Sequence, residues 1–221
     1  MQSTMERLEK WLQANLAEVH ADLAPGCPEA AISAFEHQVG RAFPESLKML
    51  YRLHDGQHGA VNTGPFFGLT FLPLADARKH WASWQETLEG FAADDLSAAN
   101  DLCSSATPGA VKTEYANRYW VPFAYDYGGN HLGVDLDPAE RGTAGQVINF
   151  GRDEEEKFVV ANSVSSFLEW LVDQLEAGNA AIREEDDGGR SLNTREPEKF
   201  HFLDSVRVMF ASQTLPASTG E

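Results

Sequence analysis

Residues 119–137 read Tyr-Trp-Val-Pro-Phe-Ala-Tyr, then Asp-Tyr-Gly-Gly-Asn, then His-Leu-Gly-Val-Asp-Leu-Asp. Two β-prone runs joined by a Gly-Gly turn make a hairpin, and that hairpin restricts what the flanking chain can become. In its second arm Leu132, Val134 and Leu136 share one face, while His131, Gly133, Asp135 and Asp137 share the other. Such alternation predicts a half-buried strand with a solvated polar face. Pro122 has no N–H for the ladder, so the first arm is expected to be an edge strand or to carry a bulge. Gln146–Phe150 and Phe158–Ala161 read as two more strands across short links, giving an antiparallel meander over about residues 119–161.

Helical periodicity brackets the meander. Leu8, Leu12, Leu16, Val19 and Leu23 recur at helical spacing, Ser3 and Glu6 have capping-box spacing, and Pro25-Gly26 ends the run. Pro28 and Pro44 open a second and a third helix. Their stripes are Ile32, Phe35 and Val39, then Leu47, Leu50, Tyr51 and His54, with Asp55-Gly56 as the stop. Residues 57–65 read as loop, and 66–72 as a strand interrupted at Gly68. Leu74, Ala77, Trp81, Trp84 and Leu88 predict another helix. Residues 92–110 have no sustained pattern and are expected to hold at most a short helix. After the meander, Ser163 caps a helix striped by Val164, Phe167, Leu168, Leu171, Val172 and Leu175, and Gly178 ends it. Residues 183–195 read as a flexible connector. Phe202, Leu203, Val206, Met209 and Phe210 predict a docked terminal helix, and the last ten residues a disordered tail. This order predicts an α+β fold. Residues 1–180 are expected to form one domain and 181–221 a C-terminal extension.

The chain has 221 residues, 43% of them hydrophobic, enough for a core without disulfide or metal support. Its 34 acidic and 17 basic residues give a net charge of -17. That charge argues against nucleic acid and anionic membrane as partners. It is compatible with a basic protein partner, though simple solubility is the plainer account. Cys27 and Cys103 match no metal spacing and read as free thiols in a reducing cytosol. No leader pattern or bilayer-length apolar run is seen, so a cytoplasmic location is expected.

The chemical motifs are sparse. His54 and His58 stand four apart in His-Asp-Gly-Gln-His, but Gly56 interrupts the helix and no third ligand is near. The alternative is a helix C-terminus where the dipole favours histidine. Asp126, Asp135 and Asp137 surround the hairpin, where carboxylates can hold a cation or move protons; turn-making and a solvated strand face account for them as well. There is no phosphate-binding Gly-rich loop and no Gly-x-Ser-x-Gly. Neither metal nor cofactor is expected, and no catalytic residue is assigned. The acidic runs 153–156 and 184–187 read as solvated surface or as a docking patch.

Several segments in order carry a resemblance. They are Phe43-Pro44-Glu45-Ser46-Leu47 leading to Asp55-Gly56, Phe71-Leu72-Pro73-Leu74, and Trp120-Val121-Pro122-Phe123 with Asp126 and Gly129-Asn130. Asp135-Leu136-Asp137-Pro138, Gly145-Gln146-Val147 and the helix from Ser163 through Phe167-Leu168 complete the set. Together they resemble the SUKH superfamily of bacterial toxin-immunity proteins and fungal cell-wall-assembly regulators of the Smi/Knr type. The resemblance spans about residues 28–177. It implies a central bent, mostly antiparallel sheet with N-terminal helices and a C-terminal helix packed on it, and binding rather than catalysis. Fungal members carry long disordered arms and this chain shows only a short tail, so the first expectation is an immunity protein that neutralises a basic toxin domain. The alternative is a fungal-type wall or signalling regulator, and a lower one is an enzyme whose site is assembled in space. The expected partner-contact residues are Tyr125, Asp126, Asn130, Asp135 and Asp137, which can equally serve only to shape the turn.

Overall fold

A computed structural model describes residues 1–186 and 188–211. In chain order the elements begin with α1 (Gln2–Asn15), α2 (Ala17–Asp22), β1 (Leu23–Pro25), α3 (Glu29–Val39), α4 (Glu45–Leu53), β2 (His54–Gln57), β3 (Thr70–Phe71), α5 (Leu74–Gly90), α6 (Ala93–Asp101) and β4 (Ser104–Ser105). There follow β5 (Trp120–Tyr125), β6 (Asn130–Asp135), β7 (Gln146–Gly151), β8 (Glu156–Lys157), β9 (Val159–Ala161), α7 (Val164–Glu176), β10 (Ala180–Glu184), β11 (Arg190–Thr194) and α8 (Phe202–Phe210). This is an α+β fold. Its five-stranded sheet runs β3-β5-β6-β7-β9 with every pairing antiparallel.

Local chemistry explains most element ends. Prolines 28, 44 and 73 sit at the N-caps of α3, α4 and α5 in extended backbone. Gly40 closes α3 at φ 77°, a left-handed conformation that favours glycine. Ser163 and Ser166 form a reciprocal capping box at the start of α7. The Ser3–Glu6 pair forms no such box, because α1 already starts at Gln2 with Met1 as its cap.

The predicted apolar stripes meet in one core. Leu8, Leu12, Phe35, Leu47, Phe66, Phe123, Val134, Phe167 and Leu171 all belong to it. Four residues of α8, Phe202, Leu203, Val206 and Phe210, join the same core. Arg207 ties α8 further by donating to the Asp153 carbonyl at 2.8 Å.

Three expectations need correction. First, of the two outcomes expected at Pro122 the bulge is the one present, between Pro122 and Ala124, while the edge alternative falls because β3 pairs with β5 beyond Pro122. Second, residues 183–195 do not form a connector: β10 and β11 pair in continuous register from Ala180↔Thr194 to Glu184↔Arg190. Third, the polar face of β6 does not meet water. Trp120, Ile148 and Phe150 lie on that face and pack with Ala110, Val111 and Val159 in a second, smaller cluster, with Trp84 against it. The excursion at residues 92–117, with helix α6 and the short parallel pair β4–β8, covers this face. Both layers of the sheet are therefore buried. The predicted disordered tail lies outside the described residues.

Candidate functional site

Burial of the second face changes the reading of the five predicted contact residues. Asp135 has 0% exposure. It accepts from Gln146 Nε2 at 2.9 Å and from the Asp137 N–H at 2.9 Å. Burial pushes its carboxyl up to about 6 against those hydrogen bonds. It offers no surface to a partner, and reversing its charge would place an ammonium in the interior. Asp137 is half-buried and occupied: Arg41, Lys112 and Asn117 all contact its carboxylate. Burial works to raise its pKa, but the hydrogen bonds from Lys112 and Asn117 and the charges of Lys112 and Arg41 outweigh it, and the net shift is downward. Asn130 is buried and braces the turn, donating to Asp126 Oδ2 at 2.8 Å and accepting from the Asp153 N–H at 2.9 Å.

Tyr125 and Asp126 stand nearer the surface. Asp126 Oδ1 accepts from the N–H groups of Gly128 and Asn130, at 2.6 and 2.9 Å, and so fixes the turn. Tyr125 begins an aromatic ladder that follows the strand register. It stacks on His131 at 5.0 Å, His131 stacks on Phe150 at 5.3 Å, and Phe150 packs on Trp120 at 5.6 Å. On the outer side Tyr125 meets Tyr127 at 5.3 Å. The ladder therefore runs from an exposed loop tip to the interior of the second layer.

Tyr127 is the residue that sequence reasoning passed over. It is 58% exposed and adopts φ 62°, a left-handed backbone that costs a non-glycine residue about 1 kcal/mol. The visible signal was an aromatic residue inside an Asp-x-Gly-Gly-Asn turn, where composition alone would place a small polar one.

Tyr127 and Asp126 form one side of a cleft of about 1120 Å³. The β10–β11 hairpin, the turn around Phe67 and Gly68, and Phe200, which is 84% exposed, line it as well. Phe67 also has a left-handed backbone, φ 49°. Its ring is held in the core, 5.1 Å from Phe202 and 6.1 Å from Trp170, which compensates for the strain. Gly68 is required there, since a Cβ would lie 2.5 Å from the Leu192 carbonyl oxygen of β11. The buried carboxylate of Asp22 anchors the loop leading into that turn through Gln57 Nε2 and the N–H groups of Gly59 and Ala60. The hairpin is fixed by Arg190, whose Nε donates to Glu18 at 2.7 Å and whose Nη1 donates to the Asn15 carbonyl at 2.9 Å.

The metal idea for the histidines does not assemble. His54 ring nitrogens contact Glu9 Oε1 at 2.8 Å and the Ala24 carbonyl at 3.0 Å, while His58 is exposed in the following loop. Among the described residues no group of three or more His, Cys, Asp or Glu is placed to hold a metal ion. His131 and Asp135 share a sheet face but sit in packed interior. Among the described residues no helix is long and apolar enough to cross a membrane.

The chain is similar to fungal proteins over most of its length. It is 31% identical to the cell wall biosynthesis/cell cycle regulator smi1 of Schizosaccharomyces pombe, over 91% of this chain and 41% of that protein. It is 29% identical to a glucan synthesis regulatory protein of Neurospora crassa, over 83% of this chain and 40% of that one. It is 28% identical to the cell wall assembly regulator SMI1 of Saccharomyces cerevisiae, over 81% and 41%. The chain thus spans about two fifths of the length of these curated relatives. A model of the SMI1 / KNR4 family (SUKH-1) matches residues 26–170, well over half of the sequence, and the chain belongs to that family.

Proposed function

We propose that this chain is a protein-binding regulator of cell-wall assembly, acting in the cytoplasm by docking partners rather than by catalysis. The observation that carries this reading is the cleft, built jointly by the hairpin turn inside the family region and by the β10–β11 hairpin beyond it, with Tyr127 and Phe200 standing exposed at its edges. Exposed aromatics are the groups that dominate protein interfaces. The relatives are named as regulators of wall and glucan synthesis. Those names favour the regulator over the toxin-immunity reading. Two buried free cysteines fit a reducing compartment.

The test is affinity purification of the tagged chain from cells of its own source, with mass spectrometry. Wall-synthesis enzymes or signalling kinases should be enriched, and Tyr127→Ser should reduce their yield by about tenfold, as expected for an aromatic anchor. Recovery of a secreted toxin domain in their place would overturn the regulator reading and restore the immunity one.

A further inference from the structure

The walls of the cleft carry charge of one dominant sign. Glu18, Asp126, Glu184 and Glu185 contribute four carboxylates, and Arg183 and Arg190 two guanidiniums. Both guanidiniums are already engaged, Arg190 with Glu18 and Arg183 with Glu198. Glu184 and Glu185 are exposed at the outer end of the hairpin. The cleft therefore presents a negative field, reinforced by a chain of net charge -17. Tyr127, held by the Asp126 turn, is an anchor that loses little freedom on binding.

We infer that the cleft takes a short extended peptide segment of a partner protein, in which a lysine or arginine stands beside an aromatic or aliphatic residue. The cation faces Glu184, Glu185 and Asp126, and the apolar side chain lies between Tyr127 and Phe200. This inference rests on the protein-binding reading above and names its ligand chemistry. Charge complementarity selects a basic segment over an acidic one, and the same field disfavours nucleic acid and anionic lipid. The two exposed rings supply the apolar contact, since aromatic residues dominate the centres of such interfaces.

The experiment is a selection of a displayed random-peptide library on the immobilised full chain. Affinities of the enriched peptides are then measured for the parent, Tyr127→Ser, Phe200→Ser and a Glu184→Lys/Glu185→Lys double variant. All four positions are exposed, so melting curves should superpose and show that folding is retained. The expected result is enrichment of peptides pairing Lys or Arg with an apolar neighbour. Affinity should fall about tenfold or more in each aromatic variant, and in the double variant the salt dependence should also weaken. Acidic motifs, no enrichment, or affinities unchanged across the variants would overturn the inference. So would binding of a β-glucan oligosaccharide with no peptide enriched, which would make the cleft a glycan site. The two readings fail separately. Wall-related partners that persist in the Tyr127→Ser chain sink the peptide cleft alone, whereas selected basic peptides without any wall-related partner in cells sink the regulator role alone.

Discussion

Gly133→Ala is expected to destabilise the protein by about 3 kcal/mol, at the upper end of the range for overpacking a filled core. Gly133 sits on the second face of β6, paired with Pro122 on β5 and Ile148 on β7. A Cβ there would lie 2.4 Å from Phe150 Cε1 and 2.6 Å from the Val121 carbonyl oxygen. The ring could rotate, but the carbonyl belongs to the neighbouring strand and cannot retreat without breaking the ladder. Phe150 is itself pinned between His131 and Trp120. Against a typical total of 5–15 kcal/mol this loss is large, and a urea midpoint measured beside the parent would show it. A midpoint within error of the parent would mean that the second layer is loosely packed and that the ladder is not continuous.

His131→Phe is expected to relieve a loss of stability on acidification. His131 is 2% exposed and stacked between Tyr125 and Phe150, with Nε2 3.0 Å from His80 Nδ1 and, among the described residues, no partner for its own Nδ1. Burial, and then the nearby His80, hold its pKa down to about 3 from the usual 6.5. The unfolded chain therefore takes up a proton below pH 6.5 that the folded chain refuses, and stability falls as pH falls, by about 1.4 kcal/mol per unit. Asp135 acts with the opposite sign. Burial pushes it up to about 6 from 3.8, so the folded chain takes up a proton first and gains stability as pH falls from 6 to 3.8. Between about pH 4 and 6 the two contributions offset. Phenylalanine keeps the stack and removes the histidine's share together with its contact to His80, a loss that lowers stability without setting its slope against pH. The variant's stability relative to the parent should then climb by about 3 kcal/mol from pH 6 to pH 4. Denaturation series at several pH values measure this directly. Parallel profiles for the two proteins would show that His131 is not held neutral.

The cleft and the buried second layer meet at one hairpin turn. Tyr127 belongs to the cleft edge, and through Tyr125 it touches the His131–Phe150–Trp120 ladder. The position of the exposed ring is thereby tied to packing in the interior. Substitutions in the ladder are expected to blur the cleft as well as lower stability.

The sequence by itself determined the elements whose signals are local. Leu132, Val134 and Leu136 mark a strand face because side chains alternate across a strand, and Asp126 with Gly128-Gly129 makes the turn through bonds within five residues. Prolines 28, 44 and 73, Gly40 and Ser163 set helix ends in the same local way. The tertiary structure alone decided whether the other strand face would meet water. Ala110 and Val111 cover it from an excursion with no periodicity to announce that it packs on anything. Asp135 consequently reads as a surface carboxylate in the alternating pattern and is a buried one in the fold. The cleft was decided at the same level. Its walls come from residues near 63–69, 126–127 and 181–202, each unremarkable alone, and Phe67, Tyr127 and Phe200 gain their roles only from the neighbours that folding supplies. Alternation and turn chemistry are carried by adjacent residues, whereas burial of a polar face and formation of a cleft depend on which distant segment arrives there.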